Sequence, residues 1–155
     1  MDGGGRSLGA RALLALISAG PMSRGDLAER LGLSAATTTR TVRPLIEAGL
    51  IEEQPPAEGG GPGRPTRLLA VVPNSATVAG IKLTADRLYA VLTDPLGEVL
   101  ISDSRPLTDT DAGSVTALIA SVVAQLAERS GRRPDAIGIS LGAAVVGRRT
   151  VVVAS

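Results

Sequence analysis

The chain has 155 residues, 44% of them hydrophobic, and a net charge of +1. Length and apolar content fit one domain, or a small domain plus part of another, and exclude global disorder. There is no cysteine and no histidine, and Tyr89 is the sole aromatic residue. Disulfide scaffolds, zinc fingers, Cys- and His-based catalysis and modules that stack bases on aromatic rings are therefore excluded.

The basic residues are fifteen arginines and Lys82, set against 15 acidic residues. So balanced a chain has no overall field to draw in DNA or a membrane surface, and a DNA-binding role needs arginines gathered locally. No stretch reaches the ~18 apolar residues of a membrane span. Near the N-terminus, Arg6, Arg11 and the run Ala12–Ile17 loosely mimic a secretory signal. The run is short and continuous with the residues after it, so it reads as a first helix of a cytoplasmic protein.

Composition changes near residue 72, dividing the chain into 1–72, helices ending in a hairpin, and 73–155, strands with one helix. The first helix is expected over 7–19, with Leu13, Leu16 and Ile17 on one face and Gly20-Pro21 as its stop. Ser23-Arg24-Gly25-Asp26 has the pattern of a capping box opening a second helix, whose buried stripe is Leu27, Ala28 and Leu31. Gly32 permits a sharp turn, and Ser34 can cap a third helix over 35–48. On a helical wheel Thr38, Val42, Leu45, Ile46 and Gly49 share one sector. Ala36, Arg40, Arg43 and Glu47 lie opposite, flanked by Thr37 and Thr39. Pro44 removes one backbone hydrogen bond, which predicts a bend or looser final turns. Leu50–Glu53 and Thr66–Val71 read as two strands around a Gly/Pro-rich loop, 54–65.

Two short helices about a glycine turn, followed by a strand, loop and strand, make a winged helix-turn-helix. A major groove about 12 Å wide admits one helix, whose exposed N-terminal half meets base edges. Arg40 is the first candidate base reader, because a guanidinium can pair bidentately with guanine. Thr37 and Thr39 can bond phosphate or touch a thymine methyl, Ala36 permits close approach, and Arg43 can reach phosphate. The amides near Ser23 and Ser34 offer phosphate sites at two helix starts. Arg64, between Gly63 and Pro65, can lie along an A/T-rich minor groove. Ordinary alternatives stand beside these: Arg43 paired with Glu47 four residues on, Arg40 and Arg64 simply in solvent, and Thr38 as a structural stand-in for valine.

The stretch SRGDLAERLGLSAATTTRTVRPLIEAGLIEE followed by GPGRPTRLLAV resembles the winged-helix domain of ROK-family repressors (repressor, ORF, kinase). The GRP tripeptide before an apolar strand is the part that favours this family over winged helices in general. The resemblance implies that Arg64 contacts the minor groove of double-stranded DNA and the third helix the major groove. It also implies an overall role as a repressor of carbohydrate genes. Thr38 departs from the family, where an apolar residue is usual, which would loosen the packing of this helix.

In 73–155, residues 77–83, 87–93 and 98–106 read as strands, with Asp94-Pro95-Leu96-Gly97 turning between the last two. Val115, Leu118, Ile119, Val122, Val123 and Leu126 mark a helix over 112–130. Ile137, Ile139 and Leu141 alternate with small residues as a fourth strand, and 144–154 reads as further strand. This order resembles the opening of the ribonuclease-H/actin-like ATPase lobe of ROK proteins, so the expected class is α+β, a winged helix followed by an incomplete lobe. ROK kinases carry Asp-x-Gly-Gly-Thr after the first strand. The aligned residues here are Lys82, Leu83, Thr84, Ala85 and Asp86, and the substituted glycines and the misplaced acid argue against nucleotide binding. The resemblance thus implies a regulator rather than an enzyme, with no catalytic residue, cofactor or metal to assign. A sugar effector is implied only for a complete family member, and homodimerisation would let two winged helices span two half-sites. The alternatives are a winged helix that docks protein and a fragment of a ROK sugar kinase. An incomplete lobe is also expected to leave an uncovered sheet edge and apolar face, giving marginal stability or self-association of residues 73–155.

Overall fold

A computed structural model describes residues 7–55, 67–146 and 150–153, which fall into two compact units, residues 1–75 and 76–155. In the first unit the elements are α1 (Leu8–Ala19), β1 (Met22–Ser23), α2 (Arg24–Leu31), α3 (Ala35–Glu47), β2 (Ile51–Gln54) and β3 (Leu68–Val71). Each helix begins at a serine. The hydroxyls of Ser7, Ser23 and Ser34 accept from the amides of Ala10, Asp26 and Thr37, each satisfying an N–H that the helix cannot. Gly32 closes α2 in the left-handed region at φ 67°, its amide donating to the carbonyls of Ala28 and Glu29. A side chain there would strain the backbone, so this glycine lets α3 leave α2 at a sharp angle.

The core of this unit is Ala12, Leu16, Leu27, Val42, Ile51 and Leu69, with Met22 and Val71 at its margin. The inner face of α1 is only partly the expected one. Ala12, Ala15 and Leu16 are buried, Leu13 is half-buried, and Ile17 faces outward. The alanines let α1 lie close to its neighbours, which turns the inner face away from the line of largest side chains. Thr38 is buried, but its hydroxyl donates to the Ser34 carbonyl at 3.0 Å, so the departure from an apolar residue leaves no unpaired polar group. α3 runs on through Pro44 to Glu47. The missing proline amide deprives only the Arg40 carbonyl of its helical donor.

β1 was not expected. It pairs antiparallel with β3, Met22 opposite Leu69 and Ser23 opposite Leu68, and β3 pairs in turn with β2, giving the order β1-β3-β2. Two residues are too short for any periodicity to show, and only the partner strand makes them a strand.

The second unit contains β4 (Val78–Leu83), β5 (Arg87–Thr93), β6 (Val99–Pro106), α4 (Ala112–Ser130), β7 (Ala136–Leu141), β8 (Ala143–Val146) and β9 (Thr150–Val153). β4, β5 and β6 form an antiparallel meander, and the chain then returns through α4 to lay β7 parallel to β4, in the order β6-β5-β4-β7. The buried face joins Ala79, Ile81, Leu83, Leu88, Ala90 and Leu92 to Val122, Val123 and Leu126 of α4. Between β5 and β6, the Asp94 carboxylate accepts from the amides of Leu96 and Glu98, which fixes the expected turn. The stretch expected as further strand contains two strands, β8 and β9, which pair antiparallel, Ala143 opposite Val153.

The fourth strand keeps its alternation but not its burial. Ile137, Ile139 and Leu141 sit opposite the buried Ala79, Ile81 and Leu83, yet each is more than half exposed. α4 packs mainly over β5 and β6.

Candidate nucleic-acid interface

The exposed face of α3 carries Ala36, Thr39, Arg40, Arg43 and Glu47, while Thr38 and Val42 point into the core. The 3.6-residue period brings Ala36, Arg40 and Arg43 onto one ridge because positions three and four apart are neighbours on a helix. Their side chains differ in freedom. The Ser34 and Thr37 hydroxyls lie 2.9 Å apart and bond each other, and Ser34 Oγ also accepts from the Thr37 amide. Arg43 Nε donates to Glu47 Oε1 at 2.7 Å, with both side chains well exposed. An exposed i,i+4 pair contributes only ~0.3–0.5 kcal/mol, so a phosphate can take Arg43 from Glu47. Thr39 and Arg40 have no side-chain hydrogen bond among the described residues, which leaves Arg40 as the unengaged guanidinium of this face.

The two helix starts are unequal. At α2, Asp26 Oδ2 accepts from the Ser23 amide at 3.2 Å and from the Ser23 hydroxyl at 2.8 Å. A carboxylate thus already lies where a phosphate was expected at Ser23. At α3 no acidic residue lies in the first turn, and the first amides, those of Ala35 and Ala36, lack intrahelical partners by the geometry of any helix start. Arg64, the expected wing contact, lies outside the described residues.

A charged cluster at the root of the wing was missed in the sequence. Glu53 of β2 lies opposite Leu69 and shares its sheet face with Ile51, so this carboxylate is on the core side of the sheet at its margin. Arg24, the first residue of α2, donates to Glu53 Oε1, and Arg67 Nη1 lies 3.4 Å from Oε2. The signal was present in the alternation Ile51-x-Glu53, which puts an acid where an apolar residue is expected and so calls for a nearby cation.

The Arg24 hydrogen bond is the largest influence on Glu53 and holds its carboxyl below the ordinary value; desolvation opposes it, and the charge of Arg24 and the contact with Arg67 add to it. A carboxylate depressed in the folded state stabilises the fold above its unfolded pKa and loses that contribution as pH falls through the folded value. Between about pH 6 and pH 3, Glu53→Gln is therefore expected to lose less thermal stability than the wild type, measured by circular dichroism melts in parallel. Equal losses would show that Arg24 and Glu53 are not coupled in solution.

In the second unit, residues 84–86, which include Thr84 and Asp86, form the β4–β5 turn. Thr84 Oγ1 donates toward Asp86 Oδ1 and the Arg87 carbonyl and accepts from the Arg87 amide. The turn is closed by its own side chains, with the exposed Asp86 carboxylate bonded to Thr84.

A three-helix unit with a glycine-turned helix pair and a three-stranded sheet defines the class: a winged helix-turn-helix of the DNA-binding type. Residues 10–60 match the MarR family. The chain is 34% identical over 128 residues to the transcriptional regulator Rv0485 of Mycobacterium tuberculosis, covering 81% of this chain and 29% of that protein. It is 33% identical over 121 residues to the uncharacterized protein y4fQ of Sinorhizobium fredii, covering 77% and 31%. Against the DNA-binding transcriptional repressor Mlc of Escherichia coli it is 30% identical over 88 residues, covering 57% and 22%. The crystal structure of a ROK family transcriptional regulator, a homologue of Mlc, superimposes with a TM-score of 0.64 at 28% identity, over 86% of this chain and 34% of that one. These matches support a ROK-family transcriptional regulator with a MarR-type winged helix at its start. The chain spans about a third of the length of the curated relatives with the longest matches.

Proposed function

We propose that this chain binds double-stranded DNA in a sequence-dependent way, with α3 in the major groove and the wing in an A/T-rich minor groove. The observation that carries the reading is the exposed face of α3: a small residue, Ala36, then Thr39 and the unengaged Arg40, on a helix whose other face is locked in the core. Arg40 pairs with a guanine edge, Thr39 and Ala36 meet neighbouring bases, and Arg43 and the α3 start at Ser34 and Thr37 hold phosphates. Ser23 contributes through α2, which it caps and so orients. Arg64 supplies the minor-groove contact implied by the family resemblance.

The same resemblance extends the reading to repression of carbohydrate genes, with DNA release controlled by a sugar in a complete family member and homodimers spanning two half-sites. Mlc, named a DNA-binding transcriptional repressor, supports the direction of control. The closed β4–β5 turn favours a regulator over a sugar kinase.

Fluorescence-anisotropy titrations of A/T-rich and random duplexes at two salt concentrations, wild type beside Arg64→Ala, test the reading. Salt-sensitive binding with an A/T preference is expected, and the preference should vanish in the variant. A preference unchanged in Arg64→Ala would remove the wing from the interface. Absence of binding at low salt would leave a protein partner as the better reading.

A further inference from the structure

The charged cluster at the wing root has a division of labour that points to DNA. Glu53 is only about a quarter exposed, and its two oxygens are held unequally. Oε1 is in close contact with Arg24, which is itself 37% exposed and has Nη1 buried without a hydrogen-bond partner among the described residues. Oε2 meets Arg67 only at 3.4 Å, and Arg67 is 70% exposed. Arg24 therefore anchors Glu53, and Glu53 loosely tethers Arg67. The pairing Ser23–Leu68–Gln54 puts the start of α2 and both roots of the wing at one end of the sheet, and Arg67 immediately precedes this row. A wing inserted into a minor groove has a phosphate backbone on each side of its root. A guanidinium tethered by one long contact can turn to such a phosphate at little cost, because an exposed ion pair contributes at most about 1 kcal/mol.

We propose that Arg67 is a DNA-phosphate ligand at the root of the wing and that Glu53 is its positioning residue, aiming the guanidinium while limiting the positive charge offered to DNA. This rests on the DNA-binding reading above. Two guanidiniums without the carboxylate would attract any duplex, since phosphate contacts carry no sequence information. With Glu53 present, the cluster carries a net charge near +1 and adds less to non-specific binding. The inward acid on β2 is then a device for selectivity as well as a strut between α2 and the wing.

The test is the salt dependence of binding to a random duplex, measured by anisotropy over a salt series on the full chain. Arg67→Gln is expected to make the slope of log K against log salt shallower by about 0.9, the effect of one phosphate contact, with Tm unchanged. Glu53→Gln is expected to raise affinity for the random duplex several-fold at low salt, an effect opposite to that of a damaged strut. An unchanged slope in Arg67→Gln beside a salt-dependent wild type overturns the proposal and leaves the DNA reading standing. Affinity unchanged or lowered in a folded Glu53→Gln overturns the role given to Glu53. If Glu53→Gln does not fold, the exposed Arg67 variant decides alone. A wild type that binds no duplex at low salt overturns both readings together.

Discussion

Arg40→Ala is expected to lower affinity for a site selected from a random duplex library by about tenfold to a hundredfold, the ~1–3 kcal/mol of one bidentate base contact. Arg40 is exposed in the N-terminal half of α3 and has no side-chain partner among the described residues, so removing it breaks no internal contact there. The loss is therefore one of recognition, and Tm should not move. Arg40→Lys separates charge from geometry. It keeps the positive charge and should keep the salt slope, but an ammonium cannot reproduce the planar fork that matches the guanine edge. Discrimination between selected and random duplexes should fall nearly as far in Arg40→Lys as in Arg40→Ala. If alanine weakens binding to selected and random duplexes alike and lysine restores it, Arg40 meets phosphate rather than a base. If neither variant changes discrimination, α3 does not read sequence through this residue.

Leu27→Ala is expected to destabilise the winged-helix unit by about 2–5 kcal/mol, the range for a leucine truncated inside a packed core. Leu27 is fully buried among the side chains that join α1, α3 and the sheet. A unit of this size has little stability to spare, so a loss in this range should leave much of it unfolded near physiological temperature. The measurement is a far-ultraviolet circular dichroism melt, because a chain with one aromatic residue gives little near-ultraviolet signal. Leu14→Ala is the control. Leu14 is 43% exposed on the outer side of α1, and its truncation should cost no more than about 0.5 kcal/mol. Equal effects at the two positions would mean that α1 and α2 do not pack through Leu27. DNA binding should follow stability in Leu27→Ala and be independent of it in Arg40→Ala.

The local signals in the sequence were strong where one chemical feature sets one structural event. Serines at 23 and 34 mark helix starts because a hydroxyl is the nearest acceptor for a free amide. Gly32 marks the turn because its φ of 67° is unfavourable for other residues. The alternating Ile137, Ile139 and Leu141 mark a strand, and the 3.6-residue period of α3 separates Thr38 and Val42 from Ala36, Arg40 and Arg43. These rules act within a few residues, so the sequence alone determined the longer elements, the class of the fold and the exposed face of α3.

Whatever depended on a distant neighbour was decided by the tertiary structure. β1 exists because β3 lies beside it. Ile17 faces outward because Ala12 and Ala15 let α1 pack closely on another side. The β7 leucine and isoleucines are exposed because α4 lies over β5 and β6. Arg24, Glu53 and Arg67 meet only because β2 and β3 bring residues from three segments to one end of the sheet. Local pattern reports what a residue prefers, but burial and charge pairing are properties of two surfaces in contact. The second surface lies tens of residues away, so its position enters only when the chain has folded.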